Sequence, residues 1–336
     1  VGLVSRKRLL FLHTGGTLGM APQGDPGPLA PSAYADNVLP FVRGLERLVD
    51  IEGTALCNID SSDMTPTHWE SMAAVVAQEL DNYDGFVVLH GTDTMAYSAS
   101  AMSMLLHNLP KPVVLTGSQR PIAELRTDAR MNLIHAAICA TLDVPEVGLY
   151  FGDHLFRGNR TTKTSVQSYG AYSSPDLDPL VEMGMDVKFP HPVRRPTGPF
   201  ELRRGFDPAV SVLTLFPGMD ASQLDRQVDG GARAVILQAF GAGNVPLSDW
   251  PVAIERAVNA GVHVILATQC LVGSVELGRY EASAAALTSG ALGAGPLTLE
   301  ACLTKAMFLL AQPMDFRTAW TQDLAGEGAG QASDLA

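Results

Sequence analysis

The chain has 336 residues, 46% of them hydrophobic and 17% charged, which is the balance of a packed globular protein of one large or two ordinary domains and excludes a disordered chain. Its 23 Lys and Arg face 35 Asp and Glu, a formal net charge of −12, so long-range repulsion opposes phosphate backbones and anionic membranes and speaks against a nucleic-acid partner. No apolar run approaches the ~20 residues that cross a bilayer, and Cys57, Cys139, Cys270 and Cys302 form neither a CxxC pair nor a zinc-like group, as expected of free thiols in a reducing compartment.

Arg6, Lys7 and Arg8 precede a short apolar run at 9–12. The arrangement has a superficial likeness to a signal peptide, but glycines follow at once and the run reads as a first strand. Residues 20–32, rich in Pro and Gly, read as a loop able to cover a site. Short apolar runs at 86–89, 113–116 and 147–151 look like buried parallel strands. Helix-like segments at 68–80, 96–109 and 128–142 lie between them, the first behind a Thr-Pro-Thr start. Strand and helix in alternation argue for a doubly wound α/β sheet.

Residues 188–208, KFPHPVRRPTGPFELRRGFDP, hold prolines, arginines and little periodicity, as expected of a domain connection. Beyond them, strands are expected at 210–216, 234–238 and 262–268, and helices at 250–259 and 299–310. The expected organisation is a larger N-terminal α/β domain over 1–188 with a mostly parallel sheet flanked by helices, a linker over 189–210, and a smaller C-terminal α/β domain over 211–336. The tail from about 326 is rich in Gly, Ala, Ser and acid and is expected to be mobile.

Ligands of open α/β sheets bind outside the carboxyl ends of the strands, and the segments expected there are polar and glycine-rich: TGGT at 14–17, HGTDT at 90–94, TGSQ at 116–119 and GNRTTK at 158–163. Alone, TGGT reads equally as a tight turn. No GxxxxGK[ST] sequence and no GxGxxG after a strand supports a phosphate cradle. HGTDT places two hydroxyls and a carboxylate within three residues. It fits a helix N-cap with a surface ion pair, or a reactive Thr92 whose proton goes to a nearby amine such as Lys163, balanced by Asp93.

Together these segments resemble the bacterial-type L-asparaginases, specifically the type I or cytosolic branch. The likeness rests on TGGTLGM, DSSDMTP, YDGFVVLHGTDTMAYSASAM, TGSQRPIAELRTDARMNL, RGNRTTK, GAGN and TQC, in the family's order over nearly the whole chain. The resemblance implies hydrolysis of the asparagine side-chain amide through a β-acyl-threonine, with some glutamine activity, in the cytoplasm, without metal or organic cofactor. Thr14 is the implied nucleophile, and Thr92, Asp93 and Lys163 form a second constellation that moves protons and activates water. Ser61 corresponds to the contact with the substrate α-carboxylate and Asp93 also to the contact with its α-ammonium, and Ser62 counts among the substrate-binding residues. Ser118 and Gly91 correspond to neighbours of the reacting amide. The resemblance further implies a homodimer or homotetramer, a dimer of dimers, in which Asn244 approaches the partner's site; read alone, Asn244 is a turn residue beside Gly243.

The chain also departs from the pattern. The loop after TGGT lacks the family's tyrosine until Tyr34, so either Tyr34 reaches in or the role is filled otherwise. Ser62 stands where periplasmic relatives carry glutamine, and one acceptor fewer for the ammonium costs about 1.5–3 kcal/mol. Of a second, allosteric asparagine site found in some type I enzymes, Thr162 and Cys270 are present, but Gln238 replaces an arginine and removes a carboxylate-binding fork. Two other readings compete: a glutamine-deamidating amidotransferase subunit, against which only thirteen residues precede Thr14, and a non-catalytic aspartate-binding protein, against which stand the intact Thr14, Thr92, Asp93 and Lys163.

Overall fold

The computed structural model describes residues 6–22, 29–31 and 44–328. Two compact units meet in sequence between Arg204 and Gly205, inside the Pro- and Arg-rich segment.

The first unit begins with β1 (Lys7–Gly15), the short pair β2 (Met20–Pro22) and β3 (Leu29–Pro31), and β4 (Val49–Ile59). It continues through α1 (Pro66–Gln78), β5 (Gly85–Leu89), α2 (Met95–Leu105), β6 (Leu106–His107), β7 (Val113–Thr116), α3 (Ala129–Cys139), β8 (Val147–Phe151) and β9 (His154–Arg157). A small hairpin, β10 (Thr162–Lys163) with β11 (Tyr172–Ser173), precedes β12 (Val181–Met183), β13 (Val187–Lys188) and β14 (Glu201–Leu202). Eight strands form one sheet in the order β13-β12-β9-β8-β7-β5-β1-β4. From β4 to β8 its pairs are parallel, and β9, β12 and β13 continue it antiparallel.

The central strands are legible because they are covered on both faces: every residue of β5, β7 and β8 is buried, so each reads as a continuous apolar run. Leu9, Phe11, Val87, Leu89 and Val114 share one buried cluster with Leu133, Ala136 and Ala137 of α3. Each large side chain buried there contributes roughly 1.5–3 kcal/mol. Helix α1 starts two residues before the expected 68, inside the Thr-Pro-Thr segment: Pro66 occupies its first turn, and Thr65 and His68 cap each other reciprocally.

Several expectations are corrected. The helix expected over 96–109 stops at Leu105: Leu106 leaves the helical region at ψ 69° and with His107 pairs as β6 with β14, and Asn108 follows at a left-handed φ of 52°. The expected loop over 20–32 contains an antiparallel backbone pairing between β2 and β3. The linker is not structureless either. β14 pairs with β6, and Arg194 N–H donates to Glu146 at 2.5 Å, a carboxylate that also holds Arg157 at 2.6 Å.

The second unit carries β15 (Val210–Thr214), α4 (Ser222–Asp229), β16 (Ala234–Ala239), α5 (Trp250–Asn259), β17 (His263–Thr268), α6 (Glu281–Thr288), β18 (Leu292–Gly293), α7 (Leu299–Leu310) and α8 (Phe316–Trp320). Its four strands lie parallel in chain order, and Val235, Leu237, Val264 and Leu266 are buried with Trp250 and Ile254 of α5. The expected mobile tail needs correction at its start. Glu327 is fully buried, pairs with Lys305 Nζ at 2.7 Å and accepts the N–H groups of Leu324 and Ala325. The remainder, 329–336, lies outside the described residues. Among the described residues no helix is long and apolar enough to cross a membrane.

Candidate active site

The parallel strands β1, β5 and β7 are adjacent in the sheet, so their carboxyl ends bring TGGT, HGTDT and TGSQ side by side. Thr14 is not beyond the first strand, as expected, but within its last turn of pairing. β1 continues past a register irregularity to Gly15 opposite Ile59, which leaves Thr14 only 2% exposed. Its hydroxyl donates to Leu89 O at 2.9 Å, at the end of β5. The next turn packs still closer. A Cβ built on Gly16, at φ +91°, falls 2.4 Å from the Cα and N of Gly91, and one on Gly91 falls 2.6 Å from Ser61 Oγ. Side chains at either position would force the two loops and Ser61 apart.

Beyond Gly91, Lys163 Nζ donates to Thr92 Oγ1 at 2.9 Å and to Asp93 Oδ1 at 2.7 Å. The Lys163 side chain is 16% exposed and that of Asp93 67%, so the carboxylate keeps lone pairs for another cation. GNRTTK was expected to follow the strand at 147–151. Instead Gly152, at φ +64°, turns the chain back into β9, and Lys163 arrives on the β10–β11 hairpin. Ser61 caps this corner from below. Its Oγ accepts Asp93 N–H at 3.3 Å and its carbonyl accepts the Thr94 hydroxyl at 2.7 Å.

The other expected residues are placed as follows. Ser118 is buried and its hydroxyl donates to Arg120 O at 2.6 Å. Ser62 is exposed and tied to Asp60 at 2.8 Å. Tyr34 lies outside the described residues. Thr162 pairs with Ser173 next to Lys163. In the second unit, Asn244 closes a backbone bridge with Phe240, Gln238 Oε1 accepts the Thr214 hydroxyl at 2.6 Å, and Cys270 is exposed and free.

Sequence reasoning missed the supports. Gln119, quoted within TGSQ without a role, accepts the Thr92 hydroxyl at 3.5 Å and donates to Ser165 O and Ser168 O at 3.4 and 3.1 Å. Asp128 accepts the N–H groups of Gln119 and Arg120, and Asn132, one helical turn on, donates to Gly117 O at 2.9 Å; their i, i+4 spacing was a usable signal. His90 is fully buried. Its Nδ1 donates to Gly91 O at 2.7 Å, and its Nε2 accepts from Ser98 Oγ at 2.8 Å, which in turn accepts Trp69 Nε1–H at 2.9 Å. Burial pushes the imidazole down to about 4, so it is the neutral form that orients the turn.

The arrangement offers a poised hydroxyl, an amine, a half-open carboxylate and backbone N–H groups around glycine, the parts of an acyl-transfer site. Among the described residues no three His, Cys, Asp or Glu are grouped to hold a metal.

Comparison with known proteins agrees with this geometry. A family model described as Asparaginase, N-terminal, matches residues 8–195, and one described as Glutaminase/Asparaginase C-terminal domain matches 209–320. L-asparaginase 1 of Escherichia coli is 38% identical over 96% of this chain and 98% of its own. The 60 kDa lysophospholipase of Mus musculus is 36% identical over 98% of this chain, which spans 64% of that larger protein. The crystal structure of L-asparaginase I from Vibrio cholerae superposes with a TM-score of 0.87 at 35% identity, covering 96% of this chain and 99% of that one. With both halves matched and the fold shared, the chain belongs to the asparaginase family.

Proposed function

We propose that this protein hydrolyses L-asparagine to L-aspartate and ammonia in the cytoplasm, with Thr14 as nucleophile and minor activity on glutamine. The observation that carries the reading is Lys163 donating at once to Thr92 Oγ1 and Asp93 Oδ1, beside the strand end that holds Thr14. Asp93, with its carboxylate largely exposed, receives the substrate α-ammonium in a charge-assisted bond, while Ser61 meets the α-carboxylate.

Thr14 Oγ1 forms a bond to the amide carbon, and the oxyanion is held by backbone N–H groups at Thr92 and its neighbours; one such donor contributes on the order of 3 kcal/mol. The C–N bond breaks, the Thr14 proton passes to the leaving nitrogen, and ammonia departs. Water activated by the Thr92–Lys163 pair then attacks the acyl carbon, releasing aspartate and returning a proton to Thr14. Gly91 and Ser118 present only backbone to the reacting amide, in keeping with the engaged Ser118 hydroxyl.

The active form in this reading is a homodimer or homotetramer, with Asn244 approaching the partner's site, and light scattering measures its size. Gln238 offers no guanidinium fork and is occupied by Thr214, so the rate should rise hyperbolically with asparagine. Ammonia release from asparagine and glutamine, with Thr14→Ala as control, tests the proposal. Amino-acid binding without turnover would favour a binding protein, and release that needs a partner and charged tRNA would favour an amidotransferase subunit.

A further inference from the structure

Two side chains of one hairpin close on Thr92 at different atoms. β10 and β11 pair antiparallel with Lys163 directly opposite Tyr172, and directly opposed residues of such a pair project from the same face. Lys163 Nζ reaches the Thr92 hydroxyl at 2.9 Å, while the Tyr172 hydroxyl donates to the Thr92 main-chain carbonyl. The Tyr172 ring is buried, its centroid 5.0 Å from that of Phe151 in β8, a contact that adds to the stability of the hairpin while the hydroxyl's own hydrogen bond sets where it points. Gln119 ties the hairpin's connecting loop through Ser165 O and Ser168 O and turns its own oxygen toward Thr92.

We infer that Tyr172 is a positioning residue for the amide hydrolysis, an inference that rests on the proposed reading. Its hydroxyl pins the Thr92 backbone, and with it the β-branched side chain, so that Oγ1 stays within reach of Lys163 through both chemical steps. Without that donor, a buried carbonyl is left unsatisfied and the backbone turns to find another. The effect falls on rate and not on substrate binding, because Ser61 and Asp93 are held by other bonds, from Thr94 and Lys163.

The test compares wild type, Tyr172→Phe and Phe151→Leu, titrating binding-competent sites with L-aspartate by calorimetry and expressing kcat per competent site. Tyr172→Phe should bind aspartate within about twofold of wild type yet lose kcat roughly tenfold, less than the hundredfold that a 1 Å misplacement can cost. Phe151→Leu, which loosens the packing but keeps the hydroxyl, should lower Tm with kcat per site nearly unchanged. Should Tyr172→Phe lose only competent sites, or both variants lose kcat per site equally, the hydroxyl has no positioning role. Absence of ammonia release from wild type would overturn the parent reading instead.

Discussion

Two lysines hold a carboxylate at the same 2.7 Å in opposite surroundings. Lys305 and Glu327 are 4% and 1% exposed, and each has further partners: Lys305 donates to Gln322 O and lies over the Trp320 ring, and Glu327 takes two backbone N–H groups. Lys163 and Asp93 are 16% and 67% exposed, and the lysine's other partner is a hydroxyl. Distance alone does not separate an anchor from a reactive pair; the neighbours do. A buried, fully hydrogen-bonded pair resists any change of charge, whereas a half-open pair touching a hydroxyl has room for a ligand and a proton to move.

Removing one partner from each pair separates these roles. Lys163→Met should lower kcat by about 10²- to 10⁴-fold, the span of general acid–base catalysis, with Tm within a few degrees of wild type. Near-normal turnover in that variant would make the pair an ordinary surface contact. Glu327→Ala strands a buried ammonium and should cost about 3–5 kcal/mol of stability in urea unfolding, while kcat per folded molecule holds; a small stability change with a large loss of kcat would reverse the assignment.

His90 gives a smaller, pH-dependent effect. Its folded value, about 4, lies below the ordinary 6.5, so between those values the unfolded chain binds a proton that the native state refuses. Stability from this source is complete above pH 6.5 and declines as pH falls toward 4, by up to about 3 kcal/mol. A His90→Asn variant should show a flatter acid limb than wild type in the same unfolding series, and parallel limbs would contradict a neutral buried imidazole. Least affected should be the exposed Arg195–Asp143 pair, where Arg195→Ala should leave Tm unchanged.

What the sequence revealed follows from where each group finds its partners. The parallel strands were legible because burial on both faces writes an uninterrupted apolar run, as in Phe86 to Leu89. β4 was missed because VDIEGTALCNI lies at the sheet edge with mostly exposed or half-buried positions and shows no such run. The candidate site residues stood out as polar groups next to glycine at strand ends. Lys163 was attached to the wrong strand, since a single positive-φ glycine, Gly152, reverses the chain before it. Tyr172 left no local mark at all: its partner lies 80 residues away and exists only once the hairpin has docked. Glu327 was hidden likewise, an acid in a glycine-rich tail whose order depends on Lys305, 22 residues earlier.

The central claim is that Thr14 forms the covalent bond while the Thr92–Lys163 pair completes the turnover. Rapid quenching of the Lys163→Met variant with L-asparagine, followed by peptide mass mapping, tests it most directly. An aspartyl adduct on the peptide that contains Thr14, absent from Thr14→Ala, is the result expected. An adduct on Thr92, or continued ammonia release by Thr14→Ala, would contradict it.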